Sequence, residues 1–303
     1  MIKDMTKDSG MKALHALISM IDEPDETVYS SVKDQLLKYH EYAMPVLEEA
    51  WMAATDLLVV ERIEELIEEV NFRFVHNGLI NWLDAGAEDL QSAMLLINKL
   101  GVSDFQKSDY EKSLEQLFKD AWLEMNENLT ALEKIKVLNH IFFSVHKFNA
   151  ESEGSDSVQH FFLSDLMDRK EGNATSMAML YLSIAQYLKL PVFGVNLPGH
   201  LILAFTDDRH ALKDHDSYAR DDVLFYINPF NGGAVFTENE IDLYINQVKL
   251  ESKENYYLPA TNRTVVNRYL KELAKAYKRE ENAGKSERID RLLELFKMAE
   301  TQK

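Results

Sequence analysis

The 303 residues contain no cysteine. That excludes a disulfide, a thiol nucleophile, and any zinc or iron–sulfur site with cysteine ligands. It also agrees with a reducing compartment. No stretch approaches the roughly 18 consecutive apolar residues that a membrane span needs. Near the N-terminus, Asp4, Lys7 and Asp8 precede a short apolar stretch that His15 interrupts, with no small-residue cleavage pattern, so no export signal is read. Basic residues are scarce, 33 against 51 acidic ones, for a formal net charge of −18. Such a surface repels phosphate backbones and argues against generic nucleic-acid binding. No P-loop, dinucleotide fingerprint, HExxH or EF-hand spacing occurs, and no cofactor or metal site is expected. These absences describe a cytoplasmic protein whose partners include neither nucleic acid nor membrane.

What is present is mostly helical periodicity. Leu14, Leu17, Ile18 and Ile21 form one apolar stripe, Asp22-Glu23-Pro24-Asp25 breaks it, and Val28, Val32 and Leu36 begin another. Ala43-Met44-Pro45 breaks the pattern again. Residues 57–70 place Val59, Val60, Ile63, Leu66 and Ile67 inward, with a glutamate face outward. Asn77-Gly78 and Asp84-Ala85-Gly86 read as turns. Trp51, Trp82 and Trp122 sit in helical patterns and are expected to be core or inter-helix anchors, not ligand platforms. Helices follow over 90–100 and 110–122. Thr130 with Glu133 forms a capping box for a helix carrying Ile135, Leu138, Ile141, Phe142 and Val145. His140 and His146, six residues apart, face different sides of it. After a linker at 255–262, Val265, Val266, Tyr269, Leu270, Leu273 and Tyr277 make an amphipathic helix, which Gly284 separates from a last one. Residues 263–291 carry nine Lys/Arg and five Asp/Glu, a local +4 that leaves −22 on the remainder; a basic helical tail beside an acidic body is expected.

Residues 169–233 have a different grammar. A polar turn, Arg169 to Ser176 with Gly172, opens an apolar helix that Leu190-Pro191 stops. Val192–Asn196 reads as a strand. Leu197-Pro198-Gly199-His200 turns into a second strand, Leu201–Thr206. A third, Val223–Asn228, closes on Pro229-Phe230-Asn231-Gly232-Gly233. A helix, a strand led by histidine and a strand ending in Asn-Pro-Phe resemble a transglutaminase-like (papain-like) core. Gly172, Ala178, Leu190-Pro191, Pro198-Gly199-His200 and Asn228-Pro229-Phe230 carry the resemblance, which runs from about His140 to Asn246. It is nearest the SirB-like branch with helical-repeat flanks. The expected fold is α+β and predominantly helical: a HEAT-like helical region over 1–128, a core with a small antiparallel sheet over 129–250, and a TPR-like helical hairpin over 251–303.

In catalytic members of that family a cysteine starts the central helix, a histidine opens the next strand, and an aspartate or asparagine on the strand after orients it. The resemblance carries those positions onto Ala174, His200 and Asn228. Such chemistry needs a low-pKa thiolate at a helix N-terminus beside an imidazolium. Asparagine in third place would be a working variant, but alanine at the first leaves no reactive atom. Ser176 lies about 200° round the helix from Ala174, where it is better placed to help cap the helix than to act as nucleophile. His200 shares a strand face with Ile202 and Ala204. His210, Asp214, His215 and Asp216 could be drawn as a metal site but read as a solvated loop. Three readings result: a non-catalytic protein binding a peptide or protein partner through a relict cleft; a hydrolase or amidase using His200 with water or Ser176; or a purely structural helical scaffold.

Overall fold

The computed structural model describes residues 7–101, 109–151, 157–207 and 218–298. As the periodicities imply, the chain is α+β and mostly helical. The described residues divide after Leu79 into two compact units. The first holds α1 (Lys7–Ile18), α2 (Glu26–Leu36), a 3-10 segment (Leu37–Ala43), α3 (Met44–Ala53) and most of α4 (Leu57–Asp84). Asp25 starts α2 by accepting the N–H groups of Thr27 and Val28 at 2.8 and 3.3 Å. Leu14, Ile21, Val32, Leu36, Leu47, Ile63 and Leu66 form the core. Arg62 is 5% exposed within it. Its guanidinium donates to the carbonyls of Ile21 and Glu23 at 2.8 and 2.7 Å, pairs with Glu26 at 2.6 Å, and lies 3.8 Å from the centre of the Tyr29 ring. A buried cation is tolerable only when it is paired and hydrogen-bonded in this way.

Two expectations fail here. The helix runs straight through Asn77-Gly78. Phe72, Val75, Leu79 and Trp82 are all buried at helical spacing, and their burial outweighs the roughly 1 kcal/mol that glycine costs a helix. The chain turns instead at Gly86 and Ala87, both at positive φ. Of the three tryptophans only Trp82 is buried, with its indole N–H donating to the Asp89 carbonyl at 2.7 Å. Trp51 and Trp122 are exposed. Trp122 falls just past Ala121, where the buried stripe of its helix ends.

The second unit continues with α5 (Leu90–Asn98), α6 (Asp109–Glu124) and α7 (Ala131–Asn139). The capping box at α7 forms as read: Glu133 accepts the Thr130 N–H at 2.9 Å, and Thr130 accepts the Glu133 N–H at 3.4 Å. From His140 to Val145 the helix widens to π geometry. The wider turn rotates Val145 off the apolar stripe and leaves it exposed. There follow β1 (Asn149–Ala150), α8 (Leu163–Arg169) and β2 (Glu171–Gly172), which pairs in parallel with β1. Next come α9 (Ala174–Tyr187), β3 (Val192–Leu197), β4 (His200–Thr206), β5 (Val223–Asn228), β6 (Ala234–Phe236) and α10 (Glu238–Gln247). Strands β3 to β6 form an antiparallel sheet in sequence order. One face packs Val195, Leu197, Ile202, Ala204 and Tyr226 against Ile241 and Ile245 of α10. The other lies on α9, which is buried almost all round.

Helices α11 (Asn262–Arg279) and α12 (Ala283–Met298) pair as a hairpin. Gly284 sits inside the first turn of α12, so it does not make the break. Glu281, at φ 57°, does, and the Asn282 side chain then accepts the Lys285 N–H at 3.0 Å. The expected linker at 255–262 is stitched to the sheet. Tyr257 is fully buried, Tyr226 donates to its carbonyl at 2.8 Å, and the Ala260 N–H donates to Gly194 at 2.7 Å. That stitch seats α11 on β3.

Candidate functional site

The central helix α9 is opened by Asn173. Its Oδ1 accepts the N–H groups of Thr175 and Ser176 at 3.0 and 2.8 Å, so Asn173 is the cap and Ser176 is not. Ser176 is 2% exposed and its hydroxyl donates to the carbonyls of His160 and Asn173 at 2.8 and 3.2 Å. Ala174 occupies the first helical position and is partly exposed.

The Leu197–His200 turn presents His200 at the start of β4. Gly199 holds φ +80°, and a side chain there would meet the Tyr244 hydroxyl. That hydroxyl donates to the Pro198 carbonyl at 2.8 Å, and the Tyr244 ring meets the His200 ring edge-on at 5.0 Å. The turn is thus clasped by α10. Asn228, at the end of β5, shares the sheet face of Tyr226 and Ala204, the face on which alternation also puts His200. Its side-chain oxygen accepts the Phe230 N–H at 3.1 Å and so caps the Pro229–Asn231 turn, which packs on α9.

Two residues of α11 complete the surroundings. Glu272 accepts the Thr175 hydroxyl at the start of α9. Arg268, one helical turn earlier, holds the same carboxylate through Nε and a terminal nitrogen, both at 2.9 Å. Its other terminal nitrogen donates to Asn196 Oδ1 at 2.8 Å and to the Leu197 carbonyl at 2.6 Å. One arginine therefore ties α11 to the turn that carries His200, and one glutamate ties α11 to the helix end that carries Ala174. A carboxylate at a helix N-terminus is on the favourable end of the helix dipole. The positive potential that would stabilise a thiolate at position 174 here faces Glu272.

The His200 imidazole has its pKa lowered from 6.5. Desolvation is the larger cause, the Arg268 charge adds to it, and Glu272 opposes both. The neutral ring is the form the folded protein favours. Stability that depends on it is present above the ordinary value and is lost as pH falls through the lowered, folded-state value. Following the ring by NMR in histidine-labelled protein, with His200→Gln for assignment, should place its midpoint below 6.5. Arg268→Gln should raise that midpoint and Glu272→Gln should lower it further. Midpoints indifferent to both would show that α11 does not face the ring.

Arg268 and Glu272 are absent from the sequence reading. They are a polar pair four residues apart, flanking the stripe of Val265, Tyr269 and Leu273. Such pairs are read as solvated helix surface, and only their low exposure, 10% for the Arg268 side chain, marks them as internal. His146 pairs with Asp120 of α6 at 2.9 Å. Among the described residues no group of three or more His, Asp and Glu is placed to hold a metal ion, and no helix is long and apolar enough to cross a membrane. His210, Asp214, His215 and Asp216 lie outside the described residues.

Comparison with known proteins bears on this geometry. A family model described as the transglutaminase-like superfamily matches residues 108–271, more than half of the chain. A UPF0162 protein of Xylella fastidiosa is 23% identical over 213 residues, covering 68% of this chain and 71% of its own. The UPF0162 protein YchA of Escherichia coli is 27% identical over 181 residues, 59% of this chain and 62% of its own. F-box only protein 21 of Mus musculus is 25% identical over 114 residues, which is 37% of this chain and 17% of that protein. No solved structure matches. The family match ends inside α11, between Arg268 and Glu272.

Proposed function

The chain belongs to the transglutaminase-like superfamily, and on that premise we propose that it is a non-catalytic member that binds a peptide or protein partner at the start of α9. One observation carries the reading. Ala174, the position to which the resemblance carries the family's nucleophile, opens α9, and both neighbouring hydroxyls are already committed. Thr175 donates to Glu272 and is 2% exposed; Ser176 donates to the His160 carbonyl and is equally buried. What stays open to a partner is Ala174 itself and the exposed edge of His200. Helix-end potential and an imidazole whose pKa is lowered, chiefly by burial, suit hydrogen bonding to a peptide backbone better than bond cleavage. His200 with a single water is the alternative, and the Asn228 side-chain oxygen that a triad would turn to the ring accepts the Phe230 N–H of its own turn.

The test is a displayed random-peptide library selected on wild-type protein. Selected peptides should shift the His200 ring resonance and lose binding to Ala174→Trp, a variant whose bulk sits at a partly exposed first-turn position and should leave the melting temperature unchanged. Wild type should release no amine from peptide amides. Peptides that bind Ala174→Trp as well as wild type would contradict the assignment, as would amidase turnover abolished by His200→Ala.

A further inference from the structure

The first compact unit carries a feature that the α9 site does not use. Where α3 ends and α4 begins, four large apolar side chains within eight residues are exposed: Trp51 39%, Met52 74%, Leu57 80% and Leu58 46%. Only Ala53 to Asp56 separate the two pairs, and Asp56 caps α4 by accepting the N–H groups of Leu58 and Val59 at 2.8 and 3.3 Å. The Trp51 indole N–H reaches across to Glu64 on the second turn of α4, at 3.1 Å. The indole therefore lies along the side of α4 that Leu57 begins, and the apolar groups share one corner. Scattered exposed apolar residues are ordinary, but a grouped set with a polar rim marks an interaction surface.

The rim has one sign. From Tyr42 to Glu61 the chain contains Glu48, Glu49, Asp56 and Glu61 and no lysine or arginine. The next basic residue, Arg62, is turned inward on the carbonyls of Ile21 and Glu23. We propose that this corner docks a basic amphipathic helix of a partner protein, whose apolar face covers Met52, Leu57 and Trp51 while its lysines and arginines meet the acidic rim. Charge complementarity selects the occupant. A second copy of this corner would bring like charges together, and an anionic lipid surface would be repelled. The docking mode is helix on apolar surface with charged flanks.

The probe is an 18-residue peptide of leucine and lysine only, patterned as an amphipathic helix and free of aromatic residues. It is titrated into the full-length Trp122→Phe protein, so that Trp51 is the one exposed indole. Binding should be saturable, should shift Trp51 emission to the blue, and should weaken with salt. Met52→Ser/Leu57→Ser leaves the charge unchanged and removes mostly solvent-exposed atoms; it should weaken binding by about tenfold or more. Independently, Glu49→Gln/Glu61→Gln keeps the apolar groups and should weaken binding while flattening its salt dependence. Equal affinity in the Met52→Ser/Leu57→Ser protein overturns the proposal. So does a leucine–glutamate peptide that binds as tightly. Concentration-dependent dimers that dissociate on Met52→Ser/Leu57→Ser would assign the corner to a second copy, and binding to phosphatidylglycerol vesicles lost in that variant would assign it to a membrane; either result overturns it as well.

Discussion

Replacing Arg268 by methionine should destabilise the second unit by about 2–4 kcal/mol, read as a shift in the midpoint of denaturant unfolding. The substitution keeps most of the side-chain volume and removes the charge and its donors. Three groups then lose the guanidinium at once: the Glu272 carboxylate, which keeps only the Thr175 hydroxyl, the Asn196 side-chain oxygen and the Leu197 carbonyl. A carbonyl left unsatisfied in a partly buried place costs about 1–3 kcal/mol. Glu272 is about a quarter exposed, so water recovers part of its loss and the total falls short of a fully buried ion pair. Glu272→Gln should cost less, because an amide oxygen can still accept from Thr175 and from Arg268. The double substitution should be milder than the sum of the two, with a coupling of roughly 0.5–3 kcal/mol. Strict additivity would mean that the two side chains do not act on one another.

A second large effect is expected from Gly233→Ala. Gly233 adopts φ +71°, and an added Cβ would collide with the whole amide of Asn139. That amide cannot simply move aside. Its nitrogen donates to the Gly233 carbonyl at 2.9 Å, and its oxygen accepts the hydroxyl of fully buried Tyr181 at 2.7 Å. The collision therefore breaks the bond that joins α7, α9 and the turn after β5. The backbone conformation costs alanine about 1 kcal/mol, and the orphaned Tyr181 hydroxyl about 1–3 more. A loss of about 3 kcal/mol is expected by denaturant titration. Asn139→Ala should abolish most of the difference between glycine and alanine at 233, because the collision disappears with the amide. If Gly233→Ala costs the same with and without Asn139, the penalty is only that of the backbone.

These two effects mark where sequence reasoning reached and where it stopped. The C-terminal end of α9 was legible, because its interior is apolar and Leu190-Pro191 cannot continue a helix; its start was not, since capping was read at Ser176 and belongs to Asn173. The capping box at Thr130 was legible for a local reason: donor and acceptor lie three residues apart. Packing across long separations was not. Arg268 meets Leu197 from 71 residues away, and Asn139 meets Gly233 from 94. No periodicity announces either contact. Local rules also failed where burial overrode them. Asn77-Gly78 stays helical because Phe72, Val75, Leu79 and Trp82 are buried on either side, and Gly284 is helical because Glu281-Asn282 already makes the turn. At the candidate site, Ala174, His200 and Asn228 came from a resemblance to a known core, and Glu272, the carboxylate facing the start of α9, came only from the fold.

We propose that Ala174 stands where a nucleophile would stand, at the N-terminal end of α9, within electrostatic reach of His200, and a single introduced thiol measures this. In Ala174→Cys the chain has one cysteine, so the pH dependence of its alkylation reports that site alone. The helix end favours the thiolate, so the midpoint should fall below the roughly 8.5 of a free cysteine. Adding Glu272→Gln, which removes the opposing carboxylate, should lower it further. Adding His200→Ala should raise it, because the imidazole can no longer accept or share the proton. A midpoint at the free-thiol value, unmoved by either second substitution, would contradict the assignment and with it the proposed binding site.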